Sequence, residues 1–358
     1  MQYRRIKKAG LYLSELSFGT WLHGSAGKED KPGSPALIPY EQGITCLTAA
    51  AEAGINYFDT APGYGGGQSE ALLGDFIREY DRNDFVLSSK VFFPVSKVPN
   101  RRGLPRKHIL ASIDETLEKL QTDYLDIYCC HRFDYITPLE ETISAMNYLI
   151  DEGKILHWGT SNWLGVELER AQGIALANGM KGPVIEQAHY SLLDRFIELE
   201  LWHTLDYHKM GLSVWSPLEG GILTGKYTET IPEQSRIAQL KNINQEGHGE
   251  GHWLTPENLE KLRSLSKLAQ ELDITMGQLS LAWLLHKEQV TTLITGASQP
   301  SQIESNAKAT AISLSDQTLA RIEKILKNRP EYPRNWEIFN YRWFQNWLRE
   351  KKDRKAWK

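Results

Sequence analysis

Short apolar runs alternate with amphipathic stretches along most of this chain. The runs are apolar enough for strands buried on both faces, and the stretches between them repeat their apolar positions with the period of a helix. We predict strands at residues 16–19, 56–59, 85–90, 125–131, 157–161, 184–188, 212–215 and 292–295. The clearest predicted helices are 107–120, 138–152 and 315–326, the last with a serine cap.

Eight alternating strand and helix units predict an α/β fold, a closed (β/α)8 TIM barrel rather than an open doubly wound sheet. Three segments interrupt the alternation: a Gly/Pro/Lys insert at 28–39, a polar connection at 228–253, and an aromatic tail from Tyr332. We expect the two inserts to lie at the active-site face, where loops follow strands. We also predict one barrel domain over residues 1–358, with 330–358 as a helical, aromatic C-terminal extension that packs on the barrel or on another subunit.

Composition and charge narrow the class of protein. The 358 residues are 41% hydrophobic, which predicts a buried core. The 41 basic and 45 acidic residues give a net charge of −4, so we expect no positive electrostatic field that would attract nucleic acid. The three cysteines lack the spacing of a zinc site or of a disulfide scaffold, so a reducing cytoplasm fits best. No apolar stretch approaches the roughly 18 residues of a membrane span. Chemistry on a small molecule is therefore the favoured interpretation.

Four polar residues mark the strand ends as candidates for catalysis. Asp59 ends a predicted strand, and Tyr64 follows in a loop with glycines at 63, 65, 66 and 67, which permit close backbone approach. Lys90 and His131 end the next two strands. Any one of them alone could simply face solvent, but in a barrel Asp59, Lys90 and His131 would share one rim, and Tyr64 agrees with that placement.

These four residues, in this order and context, resemble the catalytic tetrad of the aldo-keto reductases. The resemblance covers residues 14–306. It is closest to the group that contains the potassium-channel β subunits and bacterial glyceraldehyde-phosphate reductases, on the stretches TPLEETISAMNYLIDEGKILHWGTSNW, VIEQAHYSLLDR, SVWSPLEGGILTGKY and TGASQPSQIESN. It implies reduction of a small aldehyde or ketone to an alcohol by hydride transfer.

The implied chemistry gives each residue a role. A carbonyl that accepts a hydride needs a proton donor beside its oxygen, and Tyr64 would be that acid. Lys90 would pull the pKa of the phenol toward working pH, and Asp59 would position Lys90. His131 would donate a hydrogen bond to the carbonyl oxygen.

The resemblance also implies a nicotinamide cofactor, with NADP(H) preferred and NAD(H) as the alternative. A cation with a hydroxyl near the ribose suits the extra phosphate of NADP. Trp215, taken alone, fits a core position as well as a platform for the nicotinamide ring. Ser305 departs from the glutamate common in the family before the adenine-contacting asparagine. The implied cofactor contacts are Gly19, Thr20, Trp21, Ser161, Asn162, Gln187, Trp215, Ser216, Pro217, Leu218, Gly220, Thr224, Lys226, Arg236, Gly296, Ser298, Gln302 and Asn306.

Two other functions fit the same residues. One is a nicotinamide-binding regulatory subunit with little turnover, although the channel subunits as a group often lack the histidine found here at 131. The other is a barrel lyase or isomerase that uses Lys90 as a Schiff-base nucleophile. His248 and His252 lie in a glycine-rich stretch that predicts a solvated loop and not a metal site. The chain is compatible with a homo-oligomer, and its loops do not specify a substrate.

Overall fold

A closed barrel of eight parallel strands organises the molecule. The structure is a computed structural model that describes residues 1–24, 38–94, 96–233, 235–238 and 254–330. The barrel strands follow chain order, and the last pairs with the first. They are β3 (Leu16–Gly19), β4 (Tyr57–Asp59), β5 (Val86–Val91), β6 (Leu125–Cys130), β7 (Ile155–Ser161), β8 (Ile185–His189), β9 (Gly211–Trp215) and β10 (Val290–Thr295). This confirms the predicted (β/α)8 TIM barrel, with every predicted strand in place.

Helices surround the barrel and pack on it through apolar faces. The predicted helices at 107–120, 138–152 and 315–326 are present to within a residue or so, and the Ser315 side chain accepts a hydrogen bond from the backbone of Thr318 as the predicted cap. The helices are α1 (Tyr40–Glu52), α2 (Ser69–Ile77), α3 (Arg106–Leu120), α4 (Leu139–Asp151), α5 (Gly165–Ala177), α6 (Leu201–His208), α7 (Pro256–Glu271), α8 (Met276–Leu285), α9 (Pro300–Ala307) and α10 (Asp316–Leu326).

The strands divide the apolar core into two layers. Successive side chains of a strand point to opposite faces, so Cys129 packs in the inner cluster, whereas Cys130 packs in the larger cluster of the helix layer. Both thiols are buried and free. The alternation leaves the strand ends as the places where polar side chains can reach the barrel mouth.

An antiparallel hairpin, which the sequence pattern did not predict, precedes the barrel. Its strands are β1 (Tyr3–Arg5) and β2 (Tyr12–Ser14). Ile6 and Leu13 are fully buried in the inner cluster with barrel residues such as Tyr57 and Ile127. The hairpin thus adds to the apolar filling of the barrel, and its strands are too short and polar to produce a clear alternation.

Several predictions lie wholly or partly outside the described residues. They concern most of the 28–39 insert, much of the 228–253 connection including His248 and His252, and nearly all of the 330–358 extension. The single-domain division of 1–358 stays a prediction. Within the described ranges, no helix is long and apolar enough to cross a membrane, and no group of acidic, histidine and cysteine side chains could hold a metal ion.

Candidate active site

The four predicted catalytic residues meet at the carboxyl-terminal mouth of the barrel. Asp59 ends β4, Lys90 lies near the end of β5, His131 follows β6, and Tyr64 lies in the loop after β4. All four line one cleft of about 1430 Å³ in the described part of the chain. Parallel strands of a barrel end on the same face, and this brings together residues that are far apart in sequence.

Asp59 and Lys90 form a buried ion pair. Lys90 Nζ lies 2.6 Å from Asp59 Oδ2 and donates a second hydrogen bond to the carbonyl oxygen of Thr60 at 2.9 Å. The other carboxylate oxygen accepts hydrogen bonds from Ser88 at 2.6 Å and from Gln187 at 2.9 Å. Both charged side chains are almost fully buried. Because each charge has several partners, the pair is held in a fixed geometry.

The electrostatics keep Lys90 charged. Burial alone would lower the pKa of Lys90, but the negative charge of Asp59, and that of Tyr64 when it is ionised, outweigh burial and leave this pKa above its ordinary value. The ammonium nitrogen lies 4.7 Å from the centroid of the Tyr64 ring. A permanent positive charge therefore faces the phenol.

The pKa of Tyr64 departs from the sequence-based expectation. Burial raises this pKa above its ordinary value, and the charge of Lys90 opposes that rise without overcoming it. The predicted influence of Lys90 has the correct sign, but desolvation of the phenolate is the larger effect in the protein alone. Tyr64 therefore carries its proton at neutral pH, as an acid must.

The glycine loop fixes Tyr64 against the barrel rim. Gly65 has φ of 54°, and a Cβ added there would lie 1.8 Å from the carbonyl oxygen of His23. Only glycine fits this close backbone approach. The Gly65 N–H donates to the carbonyl of Trp21 at 3.0 Å, and Ser69 Oγ donates to the carbonyls of Thr20 and His23. The loop is thereby tied to the residues that follow β3.

His131 completes the catalytic side of the cleft. Its Nε2 lies 3.4 Å from the Tyr64 hydroxyl, and Phe93 packs edge-on against its ring at 4.9 Å. Burial, together with the positive charges of Lys90 and Arg132, lowers the pKa of His131 well below its ordinary value. The neutral imidazole has one N–H, which can serve as a hydrogen-bond donor to a substrate oxygen.

The predicted nicotinamide contacts lie on the opposite side of the mouth. Ser161 ends β7 and Asn162 follows it, Gln187 lies in β8, and Trp215 ends β9. The Trp215 indole N–H donates to Asn162 Oδ1 at 3.0 Å, and Asn162 Nδ2 donates to Ser161 Oγ at 3.0 Å. The side-chain amide of Gln187 donates a hydrogen bond to Asp59 Oδ1 at 2.9 Å and so links the two sides of the barrel mouth. These contacts occupy part of the hydrogen-bonding capacity of Asn162 and Gln187.

The loop after β9 has an unusual backbone. Positive φ values occur at Ser216 (50°), Glu219 (47°), Gly220 (59°) and Gly221 (98°). The N–H groups of Glu219 and Gly221 donate to the carbonyl oxygens of Ser216 and Leu218, at 3.0 and 2.9 Å, which fixes the turn. The Lys226 ammonium lies close over Gly221, where an added Cβ would come within 2.8 Å of Nζ.

The far end of the cleft carries the residues predicted to contact the adenosine portion. The Arg236 guanidinium lies 4.4 Å from the Trp21 ring centroid, and Ser298 precedes α9, whose Gln302 accepts a hydrogen bond from the Ser298 N–H at 2.8 Å. Asn306 and Ser305 also line this end. The remaining predicted contacts that line the cleft are Gly19, Pro217, Leu218, Thr224 and Gly296.

Thr20 is the exception among the predicted cofactor contacts. It is fully buried and is not among the residues that line the cleft. Its backbone N–H and its hydroxyl both donate to the carbonyl oxygen of Asp59, at 3.0 and 3.3 Å. Thr20 thus holds the end of β4.

Arg132, His189 and Glu219 are among the cleft residues that the sequence-based interpretation did not predict. Arg132 directly follows His131 and adds positive charge beside it. His189 stacks on Trp215, and Glu219 contacts His189. The signal for His189 was available, because a residue two positions after Gln187 on a strand points to the same face.

Comparison with known proteins identifies the class of protein that has this barrel and this buried site. The model of the Aldo/keto reductase family matches residues 15–327, and the chain belongs to this family. Membership supports an oxidoreductase that uses a nicotinamide cofactor.

Individual relatives lie in the predicted group. A probable voltage-gated potassium channel subunit beta from Arabidopsis thaliana is 37% identical over 344 residues, which cover 94% of this chain and all of that protein. A protein with the same description from Oryza sativa subsp. japonica is 35% identical over 92% of this chain and 98% of its own length. A putative voltage-gated potassium channel subunit beta from Schizosaccharomyces pombe is 38% identical over 92% of this chain and 94% of its own length.

Proposed function

We propose that this protein reduces a small aldehyde or ketone to the alcohol, with NADPH as the hydride source and Tyr64 as the general acid. The observation that carries the proposal is the buried Asp59–Lys90 pair, which faces the Tyr64 ring while His131 lies 3.4 Å from the Tyr64 hydroxyl. A proton donor, a fixed charge and a neutral hydrogen-bond donor thus surround one point of the cleft.

The cleft fits a nicotinamide dinucleotide. Its volume of about 1430 Å³ exceeds the roughly 300–1,000 Å³ typical of sites for single drug-sized ligands, which leaves room for a cofactor and a substrate. Its nicotinamide end would be Ser161, Asn162, Gln187 and Trp215, and the positive-φ loop with Lys226 would hold the pyrophosphate. When bound, the reduced cofactor supplies the hydride.

The chain's own residues perform the proton chemistry. The neutral imidazole of His131 donates a hydrogen bond that orients the carbonyl oxygen and stabilises its developing negative charge. Tyr64 transfers its phenolic proton to that oxygen, and the oxygen becomes the alcohol hydroxyl. Lys90 stabilises the phenolate left on Tyr64, and Asp59 holds Lys90 in place.

The preference for NADP(H) is part of the proposal. Arg236 and Ser298 offer a cation and a hydroxyl at the far end of the cleft. A guanidinium pairs well with a phosphate, and NADH lacks the ribose phosphate that would use it. Ser305 stands at the position where the family commonly has a glutamate, so the adenine end of the proposed site lacks that carboxylate.

A panel of small aldehydes and ketones tests the function. We expect loss of NADPH absorbance with at least one carbonyl compound, and slower loss with NADH at equal concentration. Absence of turnover on every compound, despite NADPH binding, would contradict the proposal.

That negative outcome would favour a second function, a nicotinamide-binding regulatory subunit. The printed descriptions of the three relatives support it, since each is a channel subunit beta. The presence of His131 beside Tyr64 favours turnover instead.

A Schiff-base lyase is disfavoured, because the raised pKa and complete burial of Lys90 oppose the free amine that it needs. A cytoplasmic location and a homo-oligomer stay predictions.

A further inference from the structure

His189 covers one face of the indole that the proposed function assigns to the nicotinamide. It pairs with Trp215 in the register of β8 and β9, and the two rings stack with centroids 4.3 Å apart and planes 15° apart. The edge of the indole is fixed by the hydrogen bond to Asn162. Trp215 is therefore held on one face and at its N–H.

Both nitrogens of His189 face carboxylates. Nδ1 lies 3.1 Å from Asp194 Oδ2, and Nε2 lies 2.8 Å from Glu219 Oε1. A neutral imidazole would turn a lone pair toward one of these oxygens, whereas the imidazolium has an N–H for each. Both nitrogen–oxygen distances are within the range of an ion pair, so the arrangement favours the charged form.

The electrostatics agree with this geometry. Burial by itself would lower the pKa of His189, but the hydrogen bonds and negative charges of Asp194 and Glu219 outweigh burial and raise this pKa to about 9. Asp194 approaches from the segment after β8, and Glu219 approaches from the loop after β9. The third neighbour, Trp215, carries no charge.

Glu219 connects the imidazole to the cofactor loop. Its side chain is fully buried, its φ is 47°, and its N–H donates to the carbonyl of Ser216 at 3.0 Å. A buried carboxylate without a cation is strongly destabilising, so this loop conformation depends on the charge of His189. Ser191 donates a further hydrogen bond to the same carboxylate.

We propose that His189, as an imidazolium held between Asp194 and Glu219, is a positioning residue that fixes Trp215 and the loop at residues 216–221 for cofactor binding. It stacks on the indole and is not one of the four catalytic residues. The inference rests on the proposed function, because it assigns His189 to the same nicotinamide site. Nothing in the catalytic roles of Tyr64, Lys90 or His131 requires it.

The sign of the pH dependence follows from the direction of the shift. The imidazolium is complete below the ordinary histidine pKa of about 6.5 and is lost as pH rises through about 9. Glu219 then becomes a buried carboxylate without a cation, and the loop loosens. Cofactor affinity should fall across this upper range.

The test compares the dissociation constant of NADPH for the wild type, His189→Gln and the control His208→Gln, from neutral pH to about pH 10. His208 lies 2.9 Å from Glu169 on the protein surface, so it is a histidine–carboxylate pair outside the cleft. Near neutral pH we expect His189→Gln to bind NADPH about tenfold more weakly, the effect of one charged hydrogen bond. The wild type and His208→Gln should weaken near pH 9, and His189→Gln should lack that inflection.

Glu219→Gln provides a second, independent test. It leaves His189 with Asp194 alone, so the inflection in NADPH affinity should move to lower pH. A role confined to stability would reduce the free energy of unfolding of these variants without moving or removing the inflection. Tyr64 and Lys90 are present in every protein, so any titration of theirs would appear in all the profiles.

The nitrogen chemical shifts of His189, measured by NMR without cofactor, report the protonation state directly. An imidazolium at neutral pH is expected, and a neutral imidazole there would overturn the inference. Equal affinity and equal pH profiles for the wild type and His189→Gln would overturn it as well. Failure of the proposed function alone is distinguishable, because the wild type would then bind NADPH with the expected pH profile but reduce no carbonyl compound. Failure of the wild type to bind would overturn the inference too.

Discussion

The two sides of the cleft are built in different ways. On the catalytic side, Asp59, Lys90 and Tyr64 lie at or just after strand ends, and their polar groups satisfy one another within a buried network. On the proposed cofactor side, Lys226 contributes a positive charge along an open groove. Residues 216–221 beside it form a loop in which four residues have positive φ. The polar groups of the catalytic side are paired within the protein, whereas the proposed cofactor side places the Lys226 ammonium at an open groove.

The largest effect expected on the catalytic side is on stability. Lys90→Met removes the cation and leaves Asp59 buried without its charge partner, which should lower the free energy of unfolding by about 3–5 kcal/mol. Lys154→Met is the matched control, because the Lys154–Asp114 pair is 2.6 Å long but exposed, and it should cost about 0–1 kcal/mol. Denaturant unfolding measures both. Equal costs would mean that the buried pair contributes no more than a surface pair.

The next effect is on turnover. His131→Leu removes the hydrogen-bond donor beside Tyr64 and should lower kcat by about 10²–10³-fold, while His131→Gln, which keeps a donor, should recover part of the loss. Because the pKa of His131 is far below its ordinary value, the wild-type rate should show no histidine inflection near pH 6.5. A rate that falls as His131 protonates in that range would contradict the neutral donor.

The smallest effect is on the cofactor side. Arg236→Met should weaken NADPH binding about tenfold and leave NADH binding unchanged, since only NADPH carries the extra phosphate. Arg321→Met, at an exposed pair with Glu271, should change neither affinity. Fluorescence titration of both cofactors gives the comparison. Equal losses of affinity for NADPH and NADH would mean that Arg236 contacts a portion of the cofactor that both share, and not the extra phosphate.

The sequence predicted the catalytic side better than the cofactor side for a physical reason. Three of the predicted strands were short apolar runs that ended in Asp59, Lys90 and His131, so these residues could be assigned to one rim before any geometry was known. The pKa of Tyr64 could not be predicted, because it depends on how far burial outweighs Lys90. That balance is set by packing and not by spacing.

Features that depend on loop conformation or on weak patterns were missed. The hairpin of β1 and β2 is too short to show an alternation. The contact between His189 and Glu219 joins residues on two segments, and it depends on a positive φ at a non-glycine position. Thr20 was assigned to the cofactor by resemblance, whereas in the fold it holds the carbonyl of Asp59.

Transfer of deuterium tests the central claim most directly. The wild type and Tyr64→Phe are given NADPH deuterated at its transferable position together with a carbonyl compound found in the panel, and the alcohol is examined by mass spectrometry. The account predicts deuterium on the carbinol carbon, with Tyr64→Phe slower by about 10²–10⁴-fold and its NADPH affinity unchanged. Alcohol without deuterium, or a Tyr64→Phe rate equal to that of the wild type, would contradict it.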